Sequence, residues 1–140
     1  MNMTSQSPFD RDILRQFETT LRVQQRELRH VLEKAEKEIL ALARSGSIDA
    51  AGLSHGSSFT EPMFAQNRRS RNQLRLVELA LERIRKGTFG ICDVCEDTIN
   101  LKRLQAVPFA RHCIRCQQKL EHVRIHSSDG AQWRRTRRTA

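Results

Sequence analysis

Apolar residues recur at helical spacing over two long stretches of this chain. From about Asp10 to Ser45, Leu14, Leu21, Leu28, Ala35 and Leu42 stand seven apart, and Phe17, Val31 and Leu32 widen the stripe. The pattern predicts a single helix of roughly 54 Å at about 1.5 Å per residue. Charges of both signs alternate between the apolar positions, as in Glu33-Lys34-Ala35-Glu36-Lys37-Glu38, which suits an exposed face carrying local ion pairs. A helix this long cannot bury its own stripe, so a second element must cover it.

That element follows a break. Residues 45–58, SGSIDAAGLSHGSS, cluster glycine and serine and lose the periodicity, which predicts a loop. Pro62 then suits the first turn of a helix, where its missing N–H is no loss, with Thr60 or Glu61 as the cap. The second helix is expected to run to about Lys86 with Leu74, Val77, Leu81 and Ile84 on its apolar face, and Gly87 to close it in a left-handed conformation. Two complementary stripes joined by a short loop predict an antiparallel hairpin over 10–86 with its tip at about 45–60. The alternative is that both helices pack against a partner chain in a bundle. Residues 1–9 are expected to be a flexible N-terminus. After Cys113, IRCQQKLEHVRIH predicts a last helix with Ile114, Leu120 and Val123 facing inward, which ends a unit spanning 87–125. Residues 126–140 are expected to be a basic flexible tail. The fold class is therefore mainly α: a long helical hairpin, or coiled coil, with a small cysteine-rich unit and a C-terminal helix.

Composition supports this elongated design. Of 140 residues only 38% are apolar and 5% aromatic, too few for one large core. No stretch approaches the roughly 18 consecutive apolar residues that span a bilayer. The N-terminal MNMTSQSPFDRD also lacks an apolar signal segment, so a soluble cytoplasmic protein is expected, with no membrane partner. The formal charge is +9. Four thiolates around one divalent zinc would bring it to about +7, still basic enough to favour an acidic partner such as nucleic acid or an acidic protein surface.

All four cysteines lie between Cys92 and Cys116, as two C-x2-C pairs separated by 17 residues. Two residues between paired cysteines let the backbone turn so that both thiolates reach one face of a metal, and a second pair completes a tetrahedron. Cys92, Cys95, Cys113 and Cys116 are thus the expected ligands of one zinc. Catalytic zinc keeps an open position beside three protein ligands, whereas four thiolates close the shell, so this metal is expected to be structural. A disulfide framework needs an oxidising compartment, and a thioredoxin-like site needs one pair inside a βαβ pattern that is missing here. His112 has no role once four thiolates are in place.

Gly87-x-Phe89-Gly90-x-Cys92-x-x-Cys95, Ile99, Arg103-Leu104-x-Ala106-x-Pro108-x-Ala110 and Cys113-x-x-Cys116 resemble the zinc finger of the DksA/TraR family of bacterial transcription regulators. Glu96 stands where members often have glycine. The resemblance implies a coiled-coil hairpin whose finger and base dock on RNA polymerase outside its secondary channel, while the tip enters the channel. In well-studied members the tip carries D-x-x-D-x-A. Here Asp49 fits the first acid, and Gly52 and Ser54 depart from the rest. Some members contact guanosine tetraphosphate through basic side chains around the finger and helices, but no such set is assigned in this sequence.

Catalytic machinery is not expected. Ser57, His55 and Asp49 are close in sequence, but they sit in a loop with no scaffold to fix them as a triad. Two basic clusters are candidates for binding a partner or nucleic acid. Arg68, Arg69 and Arg71 begin the second helix, and the tail offers Trp133 for stacking and Arg134, Arg135, Arg137 and Arg138 for phosphates. Solvated helix surface and a disordered tail are their plainer readings. The function expected is a non-catalytic, polymerase-binding transcription regulator. The alternatives are a zinc-dependent nucleic-acid-binding protein and a structural adaptor.

Overall fold

The structure, a computed structural model, describes residues 7–46 and 61–123. Helix α1 spans Arg11–Arg44 and α2 spans Glu61–Lys86. A short α3, Leu101–Ala106, and a helix α4 described over 114–123 complete the fold. At 34 residues α1 is about 51 Å long. The two long helices run antiparallel, because Arg29 pairs with Glu78 while Arg71, earlier on α2, pairs with Glu36, later on α1.

The helix ends follow from local chemistry. Glu61 and Pro62 open α2, so the missing proline N–H falls where no intrahelical acceptor exists. Gly87 ends the helix at φ +71°, the left-handed value expected of it, and its N–H bonds the carbonyl of Ile84 at 3.1 Å while Thr88 bonds Arg83 at 2.9 Å. The expected cap Thr60 lies outside the described residues.

One core joins the hairpin base to the cysteine-rich unit. Phe17 and Leu21 of α1 and Val77 and Ala80 of α2 pack with Phe89, Cys92, Ile99, Leu104 and Cys116. The rings of Phe17 and Phe89 lie 5.2 Å apart at a tilted angle. Fully buried Leu21 and Val77 each contribute about 1.5–3 kcal/mol relative to an exposed side chain. Glu78 is held below the usual carboxylate range by the Arg29 guanidinium hydrogen-bonded to it, against slight desolvation and with help from Gln25.

Three expectations differ from the structure. Val31 was expected in the stripe, yet it is 47% exposed. The seam passes through Leu28 and Leu32, and one residue of helical rotation, about 100°, turns Val31 away from it. Ile114, Leu120 and Val123 were expected to face inward, yet all are exposed, and of residues 114–123 only Cys116 joins the core. The metal ligand anchors α4 there, so its apolar side chains are not needed for docking. Lastly, residues 7–9 are held within the segment expected to be flexible. Ser7 Oγ donates to the Phe89 carbonyl at 2.8 Å, and Phe9 packs beside Phe89.

Candidate metal centre

Two tight turns bring the cysteines together. The first begins at Gly90, φ +84°, and is stapled by Cys92 N–H to the Asp97 carbonyl at 2.8 Å, Glu96 N–H to the Cys92 carbonyl at 3.0 Å and Ile99 N–H to the Gly90 carbonyl at 2.7 Å. Ile91 and Thr98 form an isolated antiparallel bridge across it. Glu96 sits in this turn at φ 58°, among the described residues the one non-glycine residue in the left-handed region. Asn100 then starts α3, its side chain accepting from Lys102 N–H at 2.9 Å. The second turn leads into α4, where Gln117 N–H bonds the Cys113 carbonyl at 2.9 Å. Asp93 N–H to the Arg111 carbonyl, at 3.0 Å, ties the two turns together.

The sulfurs of Cys92, Cys95, Cys113 and Cys116 all lie within 4.8 Å of one another. Cys95 Sγ and Cys113 Sγ are 3.8 Å apart, far beyond a disulfide and equal to the sulfur spacing of about 3.8 Å that a tetrahedron with 2.3 Å zinc–sulfur bonds requires. Cys92 and Cys116 are buried, Cys113 is partly covered and Cys95 is exposed. The donor set thus fits one structural Zn²⁺, with all four positions supplied by the protein.

The thiols differ in acidity. Burial pushes the Cys92 thiol up, but the N–H groups of Cys95, Cys113 and Val94 aimed at its sulfur win and hold it at about 6. At Cys95 the N–H of Asp97 acts downward, while desolvation and the other three sulfurs push it up to about 12. Four sulfurs this close cannot all be thiolates without a cation among them, and zinc removes that conflict.

Arginines brace the finger internally, and one of them, Arg83, ties it to the hairpin. Arg83 of α2, with only 16% of its side chain exposed, pairs with Asp93 at 3.2 Å and donates to the carbonyls of Thr88 and Ile91. Asp93 also pairs with Arg111 at 2.7 Å, and Arg103 donates to the His112 carbonyl at 2.8 Å. Of these side chains only Arg103 stands out in the sequence, as part of the family motif, and Arg83, Asp93 and Arg111 carry no predicted role. An arginine near a helix end reads as solvated surface, and the one available signal was Asp93 inside the first C-x2-C turn. The His112 ring faces Gln117 at 3.4 Å and is not part of the sulfur cluster.

The basic candidates are not gathered at the finger. Arg68 pairs with Glu61 at 3.3 Å and Arg71 with Glu36 at 2.9 Å, all largely exposed, and Arg69 is exposed beside them. Asp49, Trp133, Arg134, Arg135, Arg137 and Arg138 lie outside the described residues. No helix among the described residues is long and apolar enough to cross a membrane.

A long antiparallel hairpin whose base shares its core with a closed four-cysteine site defines a C4-type zinc-finger protein built on a coiled coil. Residues 87–122 match the prokaryotic dksA/traR C4-type zinc finger. The whole fold is similar to transcription factor DksA2 from Pseudomonas aeruginosa, with a TM-score of 0.68 and 27% identity over 84% of this chain and 89% of that one. The DnaK suppressor protein from Agrobacterium tumefaciens is 32% identical over 75% of this chain and 91% of its own, with a TM-score of 0.51. The chain belongs to the DksA/TraR family. Among curated relatives, the RNA polymerase-binding transcription factor DksA of Buchnera aphidicola is 38% identical over 53 residues, 38% of this chain and 35% of that protein. The chain spans between a third and a half of the length of the first such relatives it matches.

Proposed function

We propose that this protein is a non-catalytic transcription regulator of the cytoplasm that binds RNA polymerase, its finger and hairpin base docking outside the secondary channel and its tip entering it. The observation that carries this reading is the continuous core from Leu21 and Val77 to Phe89 and Leu104, reinforced by Arg83 and Asp93. A finger rigidly joined to a helix about 51 Å long would fix the direction of the hairpin once it docks. The polymerase-binding name of the Buchnera relative and membership of the family support the choice of partner.

The pairing of Arg68 and Arg71 with glutamates lowers the free positive charge on that face, which argues against α2 as the main nucleic-acid contact. Asp49 is the candidate acid of the tip. The test is retention of the zinc-loaded protein on purified RNA polymerase, repeated with residues 47–58 replaced by a neutral linker. Binding should survive the replacement while the effect on transcription is lost. Asp49→Asn should change transcription without changing binding, and Gly52→Asp should move the protein toward a two-acid tip. Failure to bind polymerase, with steeply salt-dependent binding to nucleic acid instead, would favour the nucleic-acid reading. Binding to two other proteins at once would favour an adaptor.

A further inference from the structure

Packing along the hairpin is uneven. At the base, Leu21 and Val77 are fully buried and Ala80 nearly so. Leu32 is the last buried apolar residue of α1 toward the tip, and Ala35, Ile39 and Leu42 beyond it remain partly exposed. On α2, positions 63, 67, 70, 74, 77, 81 and 84 follow the alternating three-and-four spacing of a coiled-coil seam. Two of them are polar: Asn67 at 8% exposure and Ser70 at 4%, among the described residues the only buried polar side chains. The side-chain oxygen of Asn67 accepts from Arg71 of its own helix at 3.4 Å, so this bond does not cross the seam. Beside these residues lies a cleft of about 460 Å³ bounded by Leu32, Ala35, Met63, Asn67 and Ser70. The ion pair spanning the helices there, Arg71 with Glu36, has both side chains more than half exposed and so contributes little.

We propose that the hairpin opens in two parts. The tip-side arms, residues 33–44 of α1 and 61–73 of α2, separate locally while the base-side arms stay packed on the finger. The physical reason is that local opening costs what the opened contacts are worth, and beyond Leu32 the seam buries amide and hydroxyl groups where the base buries leucine and valine. A polar seam residue also disfavours shifted registers, so the arms reclose in the same alignment. The protein therefore has a stiff, finger-aimed base and a compliant tip, and this holds whatever partner the tip meets.

Hydrogen exchange on the zinc-loaded full chain tests the proposal. Amides in 36–40 and 66–72, clear of the last turn of α1 and the first turn of α2, should exchange at least about 100-fold faster than those in 17–30 and 75–84, with little dependence on low urea. Asn67→Leu combined with Ser70→Ala should slow the tip-side amides about tenfold or more and leave the base-side amides unchanged. Ile39→Asn, which adds a polar group to the same seam, should act in the opposite direction on the same amides. Equal protection of both halves with one shared urea dependence in the unaltered protein overturns the proposal, whether or not the substituted chains stay monomeric. So does tip-side exchange that neither set of substitutions moves.

Discussion

The ring of Phe9 covers Gly90 so closely that a methyl group added at Gly90 would fall 2.2 Å from the ring edge. The residue is also at φ +84°, a conformation that side chains disfavour. Gly90→Ala should therefore destabilise the protein by about 2–4 kcal/mol, part from backbone strain and part from overpacking. Urea denaturation separates the two. In a Phe9→Ala background the same change should cost only about 1 kcal/mol, because the steric part is gone. An equal cost in both backgrounds would mean that the Phe9 strap does not lie on the finger.

Asp93 lies between Arg83 and Arg111, with its two oxygens 3.2 Å and 2.7 Å from their nitrogens. The pair with Arg83 is largely shielded from water and the pair with Arg111 less so. Asp93→Asn keeps the shape and removes the charge, and should lower stability by about 1–2 kcal/mol while one zinc stays bound. Arg115→Ala, at an exposed pair with Asp97, should change stability by less than about 0.5 kcal/mol. If the two substitutions cost the same, the shielded clamp is not what holds finger to hairpin.

Both helices and the four ligands could be read from the sequence because each rests on local spacing. Leu21 and Val77 announce a seam by period, and Cys92 and Cys95 announce a metal by the two residues between them. The approach of Phe9 to Gly90 and of Ser7 to Phe89 joins residues about 80 positions apart, and no period encodes it. Val31 and Leu120 are apolar and helical, yet exposed, because hydrophobicity says that a side chain suits a core and not that a core reaches it. Asn67 and Ser70 fell on the seam unnoticed, since polar residues are invisible to a search for apolar periodicity.

Glu96 occupies a left-handed position, φ 58°, in the turn that follows the second cysteine. A side chain there is strained, and among the described residues its carboxylate has no hydrogen-bond or ion-pair partner. Glu96→Gly relieves the strain and also frees the unfolded chain, so the net gain should be modest, up to about 1 kcal/mol. Thermal denaturation of the zinc-loaded protein is the check. A loss of stability instead would show that the Glu96 side chain supports the finger in a way the turn geometry does not reveal.

Metal removal should reach beyond the finger, because Cys92 and Cys116 belong to the same core as Phe17, Leu21, Val77 and Ala80. Structural zinc in small fingers carries roughly 10–16 kcal/mol of apparent binding energy, which the few apolar residues of 87–123 cannot replace. One zinc per chain is expected by elemental analysis. Chelation should loosen Phe89 and Leu104 first and then the base of the hairpin, visible as loss of exchange protection at 17–21 and 77–80 beside the loss in the finger. The ligands should not be equivalent. Cys92 is 1% exposed and its sulfur also accepts the Cys113 N–H at 3.4 Å, so Cys92→Ser removes core packing and a turn contact together with a ligand. Cys95 is exposed, so Cys95→Ser should weaken the metal with less damage to packing. Native protection of Phe89 and Leu104 in protein shown to be free of zinc would refute a structural role for the metal. Equal loss of protection at 77–80 in the two serine variants, at matched zinc content, would refute the part assigned to Cys92 in the core.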